Sequence, residues 1–174
     1  MNIANKLTLI RTALVPVFLI ILYWGFPYSD LVALAVFIIA GATDVIDGHI
    51  ARKYNLVTDF GKFMDPLADK MLVVAAMCWL VQTGEMGGWV LAIVLLREFA
   101  VSGMRLVAVT QGTVIAAALS GKIKTASTVV CLGFMLAFNF QWLDIFCQVV
   151  ILATSVYSGI EYFVRNKNVF SKVI

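Results

Sequence analysis

Charge is what this chain has least of. Only 13% of its 174 residues are charged, about half the roughly 25% usual in a soluble globular domain. That deficit, beside a hydrophobic content of 62%, excludes an ordinary water-facing surface and points to a bilayer. Cysteine is sparse too. Cys78, Cys131 and Cys147 lie in apolar stretches without metal-ligand spacing, and an odd number argues against a disulfide framework, so they are read as small, buried hydrophobes. Low-complexity segments, a convincing repeat and any dividing linker are also missing, so one membrane domain over residues 1–174 is expected. No A-x-A-like cleavage site follows Leu22, so the first apolar stretch, though preceded by Lys6 and Arg11, is taken as mature structure and not as a secretory signal.

What is present is apolar length. A membrane helix needs about 20 predominantly apolar residues, and stretches of that kind run roughly over 9–29, 31–51, 62–82, 88–111, 123–139 and 141–164. They predict an all-α integral membrane fold of six transmembrane helices. Turn formers fill the breaks: Gly25 and Pro27, then Thr83, Gly84, Gly87 and Gly88. All thirteen Lys and Arg residues can be assigned to one side, whereas the opposite breaks hold only Asp30, Glu85 and Asp144. The positive-inside bias therefore predicts a multi-pass protein of the cell membrane with both termini cytoplasmic. Trp24, Trp79, Trp89 and Trp142 fall near the outer ends of their spans, where indole rings favour the headgroup level.

Carboxylates inside a membrane helix are costly, about 2.5–3.5 kcal/mol each at the centre on translocon scales. Four nonetheless gather at the inner ends of two neighbouring spans: Asp44 and Asp47 in the second, Asp65 and Asp69 in the third. Spacings of three and four put each pair on one helical face. Asp44 would sit about 12 Å along the helix from Arg52, just inside the interface. Clustered acids repel and would otherwise take up protons. Oxygen-only ligation suits Mg²⁺ or Mn²⁺, and two such ions would balance four negative charges in an arrangement suited to displacement at phosphorus. Helix capping explains Asp59 at the loop well, but not acids a turn or two inside an apolar span. Gly48, Gly61 and Ala51 keep the neighbouring surface small, which serves either a bulky ligand or close helix packing.

The stretch from Asp44 to Asp69 resembles the D-x2-D-G-x2-A-R-x8-G-x3-D-x3-D motif of the CDP-alcohol phosphotransferases, with eight fixed positions over 26 residues all present. The resemblance implies a six-helix membrane fold, a homodimer, and a binuclear Mg²⁺ or Mn²⁺ site. Asp44, Asp47 and Asp65 would be metal ligands and Asp69 both ligand and general base, while Gly48, Ala51, Arg52 and Gly61 would hold the cytidine and pyrophosphate of a CDP-lipid. Within that family, Asn5-Lys-Leu-Thr8-Leu-Ile-Arg11, Asp65-Pro-Leu-Ala-Asp69-Lys70, Arg97-Glu98, Arg105 and Gly121-Lys122-Ile-Lys124-Thr125 are similar to the branch that transfers a phosphatidyl group from CDP-diacylglycerol to glycerol 3-phosphate, releasing CMP. Cardiolipin synthases share several of these features.

Thr8, Arg11, Arg105 and Lys122 are accordingly expected to bind the acceptor phosphate. Cations at the interface would suit a dianion, although attraction to anionic lipid would also place them there. Arg97, deeper in its span beside Glu98, fits an internal ion pair as well as a ligand contact. His49, the single histidine, occupies a variable motif position and is read as bland. Membrane lipid is the expected surrounding, and no nucleic-acid partner is expected. Competing readings are another acceptor, such as phosphatidylglycerol, serine or an inositol phosphate, and outside the family a membrane prenyltransferase or a divalent-cation transporter.

Overall fold

In an apolar medium the backbone must satisfy its own hydrogen bonds, which favours helices. A computed structural model describes residues 3–53, 59–110, 112, 115 and 118–167, with side chains described at 9–43, 68, 70–110, 112, 115 and 118–167. These residues form helices α1 (Ile3–Trp24), α2 (Ser29–Lys53), α3 (Asp59–Thr83), α4 (Gly88–Thr110), α5 (Leu119–Ala137) and α6 (Gln141–Arg165). The expected segmentation holds, with shifted ends. The first helix stops at Trp24 and does not run on to 29, because the turn beyond it takes Gly25 to φ 63° and Tyr28 to φ 72°, left-handed values that glycine adopts without strain. Gly84 makes the same break after α3 at φ 83°.

Short turns join α1 to α2, α3 to α4 and α5 to α6 at one end, here called the outer end; α1 and α2, and α5 and α6, pack as hairpins, whereas α3 packs chiefly on α1 and α4 on α6. Tyr23 Oη donates to Gln82 Oε1, and the Tyr23 ring stands edge-on to Trp79 at 5.2 Å, which joins the ends of α1 and α3. Gln148 on α6 joins that helix to the turn between α3 and α4: it accepts from Gly87 N at 3.0 Å and donates to the Glu85 carbonyl at 3.0 Å. Those bonds satisfy turn groups that would otherwise be orphaned at a membrane face.

All six helices supply the core. Phe18, Phe37, Leu80, Val90, Leu132 and Ile151 are buried, one from each, and Phe18 meets Phe37 at 6.2 Å between ring centres. With lipid outside, such burial gains close packing rather than escape from water. The outer surface is apolar in turn: Leu96, Phe99 and Leu106 on α4 are each more than two-thirds exposed, as is Trp142. A surface of that kind belongs in a membrane. By length and composition, α5 and α6 are sufficient to cross one; Leu9–Trp24, Ser29–Thr43 and Lys70–Thr83 are shorter apolar runs, and α4 carries Arg97, Glu98 and Arg105 within its length.

Cys131 and Cys147 are buried and free, as expected, but Cys78 is exposed and free. It lies on the side of α3 turned from the core, next to the buried Met77, a distinction that apolar neighbours in sequence do not make. Trp24 and Trp89 are exposed and join Trp79 and Trp142 at the outer end, as the belt argument expects.

Candidate functional site

The inner end, opposite the three turns, opens into a cavity of about 910 Å³. Its wall combines apolar and charged residues. Phe37 and Ile38 from α2, Leu72 and Val73 from α3, and Val129 and Val130 from α5 make an apolar interior, while Arg11, Lys70, Arg97, Glu98, Arg105 and Lys122 supply charge. An elongated amphipathic molecule matches that division: a greasy part among the helices and an anionic part among the cations.

Arg97 and Glu98 sit in the middle of α4, where an unpaired charge would be expensive. They are not unpaired. Glu98 Oε1 accepts from Arg97 Nη1 at 2.8 Å and from Lys124 Nζ at 2.7 Å, and Lys70 Nζ lies 3.3 Å from Oε2. One carboxylate from α4 thus gathers cations from α3, α4 and α5. Lys124 is 5% exposed, so its ammonium depends on this partner. Lys70 also donates to Ser102 Oγ at 2.8 Å, and Arg97 Nη2 donates to Ser158 Oγ on α6. Of the two expectations for Arg97, the internal ion pair is the one observed, although the residue still borders the cavity.

Small residues make the crossing possible. A Cβ placed on Gly159 would lie 3.2 Å from Arg97 Cγ, and one on Gly121 would lie 3.8 Å from Arg97 Nη2. The arginine is laid between α5 and α6 where each presents a glycine, with Ser158 of α6 beside it.

Three of the four residues expected to meet an acceptor phosphate border this cavity: Arg11, Arg105 and Lys122. Arg11 is 1% exposed, much deeper than an interfacial cation would sit. Arg105 Nε donates to Tyr162 Oη at 3.1 Å, which fixes the head of a long side chain, while Lys122 is exposed. Thr8 lies on α1 with its side chain outside the described residues. The acid motif is placed by backbone alone: Asp44, Asp47, Gly48, Ala51 and Arg52 on α2, and Gly61, Asp65 and Asp69 on α3, with side chains outside the described residues. His49 falls there too, and Asp59 is the first residue of α3.

Backbone placement bears on the spacing of the acids. Both acid pairs lie in continuous helix, so the i,i+3 and i,i+4 spacings do put each pair on one face. The cavity wall includes Ala42, two residues before Asp44, and Lys70, the residue after Asp69. By residue type, two pairs of carboxylates on two helices make a hard-oxygen donor set of the kind that suits Mg²⁺ or Mn²⁺. Among the described residues there is no group of three or more metal-ligating side chains.

Sequence reasoning missed the residues that hold the cations: Ser102, Ser158 and Tyr162. Glu98 was the available signal, since a carboxylate at mid-span demands partners from neighbouring helices.

Comparison with known proteins bears on the same region. Residues 1–158 match the family model described as CDP-alcohol phosphatidyltransferase. A CDP-diacylglycerol–glycerol-3-phosphate 3-phosphatidyltransferase of Bacillus subtilis is 44% identical over 95% of both chains. A probable phosphatidylglycerophosphate synthase of Mycobacterium tuberculosis is 38% identical over 94% of this chain and 81% of its own. The Rickettsia bellii protein with the same description as the Bacillus one is 33% identical over 97% of each.

Proposed function

Because the chain belongs to the CDP-alcohol phosphatidyltransferase family, we propose that the inner cavity is where it transfers the phosphatidyl group of CDP-diacylglycerol to glycerol 3-phosphate, giving phosphatidylglycerol phosphate and CMP. The protein is a transferase of phospholipid biosynthesis, in keeping with relatives that carry this activity in their names over nearly their whole length. The observation that carries the reading is the make-up of the cavity: apolar where acyl chains would lie, cationic at Arg11, Arg105 and Lys122, and bordered by the neighbours of Asp44 and Asp69.

In this reading the 1-hydroxyl oxygen of glycerol 3-phosphate attacks the phosphatidyl phosphorus as the bond to the CMP oxygen breaks. Asp69 takes the hydroxyl proton, acting as general base. Gly48, Ala51, Arg52 and Gly61 hold the cytidine and pyrophosphate, while Thr8, Arg11, Arg105 and Lys122 hold the acceptor phosphate through charge-assisted hydrogen bonds. Asp44, Asp47, Asp65 and Asp69 would hold two Mg²⁺ or Mn²⁺ ions, which when bound supply charge neutralisation at the pyrophosphate. Positioning and electrostatics carry most of phosphoryl transfer, and a network of buried ion pairs holds positions well.

Six membrane-spanning helices with both termini and the cavity on the cytoplasmic side complete the proposal, supported by the segregation of Lys and Arg to the inner end. A homodimer is proposed on family grounds. The decisive experiment presents purified protein and CDP-diacylglycerol with a panel of acceptors and follows CMP release. Fastest turnover with glycerol 3-phosphate is expected. Preference for phosphatidylglycerol, serine or an inositol phosphate would move the protein to another branch, and metal transport without CMP release would overturn the enzyme reading.

A further inference from the structure

Arg11, Lys70, Arg97, Arg105 and Lys122 line the cavity, and the structure treats those on α3, α4 and α5 in two ways. Lys70, Arg97 and Lys124 are drawn onto Glu98, which accepts from all three at 3.3 Å or less. Two of them also donate to hydroxyls, Lys70 to Ser102 and Arg97 to Ser158. Among the described residues Arg105 engages only Tyr162, through Nε and the ring face, which leaves its Nη donors toward the cavity, and Lys122 is exposed. Arg105 lies seven residues beyond Glu98 on α4, about 10 Å nearer the inner end.

We propose that Glu98 is a positioning residue that withholds Lys70, Arg97 and Lys124 from ligands and thereby directs the acceptor's phosphate to Arg105 and Lys122. The inference rests on the cavity being the acceptor site. Without the carboxylate, Lys70 and Arg97 would face the cavity without the Glu98 counter-charge, with Lys124 behind them, and a phosphate dianion would be drawn to them. It would then sit about 10 Å deeper along α4 than Arg105, with its hydroxyl out of line for attack. Glu98 thus acts against a competing anion site built from the cations that hold α3, α4 and α5 together. This differs from a purely structural ion pair, whose loss would weaken ligand binding generally.

The test is a double-mutant cycle on phosphate binding, measured by calorimetry with inorganic phosphate on the purified protein, beside turnover with glycerol 3-phosphate. In the parent, Arg105→Ala should weaken phosphate binding about tenfold or more, the worth of a charge-assisted hydrogen bond. Glu98→Gln should instead tighten it about tenfold, as one unit charge removed at about 10 Å would, while kcat falls. Added to Glu98→Gln, Arg105→Ala should cost no more than about twofold, because the anion has moved away from Arg105. Glu98→Asp, which keeps the charge, should restore dependence on Arg105. An equal cost of Arg105→Ala in both backgrounds, or weaker phosphate binding by Glu98→Gln, would overturn the proposal. Should Glu98→Gln fail to insert, Arg97→Gln/Glu98→Gln removes the adjacent pair while releasing Lys70 and Lys124, and the same comparison decides. If the parent prefers an acceptor without phosphate but the cycle still behaves as described, the acceptor reading fails and the role of Glu98 stands.

Discussion

The two ends of the bundle use polar groups in opposite ways. At the outer end they close turns: Gln148 ties Gly87 and Glu85 to α6, Tyr23 ties α1 to α3, and the nearby acids Asp30 and Glu85 border a smaller cavity of about 340 Å³. At the inner end they bring charge into the interior, where Glu98 collects three cations beside a cavity of about 910 Å³. The contrast shows how one helical bundle can close one end and open the other. A hydrogen bond to a turn is satisfied as soon as it forms, whereas a ring of cations around a cavity keeps attracting an anion.

The comparison breaks most severely at the acids. Asp44→Ala, Asp47→Ala, Asp65→Ala and Asp69→Ala are each expected to lower CMP release by about a thousandfold or more while the protein still inserts. Chelation by EDTA should do the same to the parent, with Mg²⁺ or Mn²⁺ restoring activity. Full turnover in any well-expressed variant would remove that residue from the mechanism. Next in size, Lys122→Ala should raise the Michaelis constant for glycerol 3-phosphate by roughly ten- to a hundredfold. The constant for CDP-diacylglycerol should change little, and a defect confined to the lipid substrate would reverse the assignment of the cavity's two parts.

Changes at the outer end should touch stability alone. Gln148→Ala leaves Gly87 N and the Glu85 carbonyl without this partner, so the melting temperature should fall by about 2–6 °C, given about 1–1.5 kcal/mol in a chain of this size. Specific activity at a temperature where the variant is folded should match the parent; a lower kcat would mean that the two ends are coupled. The smallest effect belongs to Glu85. Burial pushes its carboxyl above the usual range, with Asp144 and Asp30 adding to the shift and a hydrogen bond with Thr83 opposing it. A raised value favours the protonated form in the folded state, so this contribution to stability is complete below the ordinary carboxylate range near pH 4.5 and is lost as pH rises through the raised value. Glu85→Gln should therefore raise the melting temperature slightly at neutral pH, by less than about 2 °C, and flatten its dependence on pH. A drop at neutral pH would contradict the sign.

Much of this molecule was legible in the chain because bilayer physics leaves few choices. Apolar runs of about 20 residues become helices, Gly25 and Gly84 end them where a left-handed turn is needed, and Lys and Arg sort to one end. The motif from Asp44 to Asp69 is local as well, since helical spacing alone puts each pair of acids on one face. Tertiary structure decided what no window along the sequence contains: that Lys70, Arg97 and Lys124, from three helices, would converge on one carboxylate, and that Gly159 on α6 would make room for Arg97. It also buried Arg11 while leaving Lys122 exposed. The physical reason is range. Helix formation and membrane partition act on neighbouring residues, whereas the cost of a charge in an apolar interior is met by whichever partner packing brings within about 3 Å, and residue 98 meets residue 124 only because α4 and α5 both pack against α6.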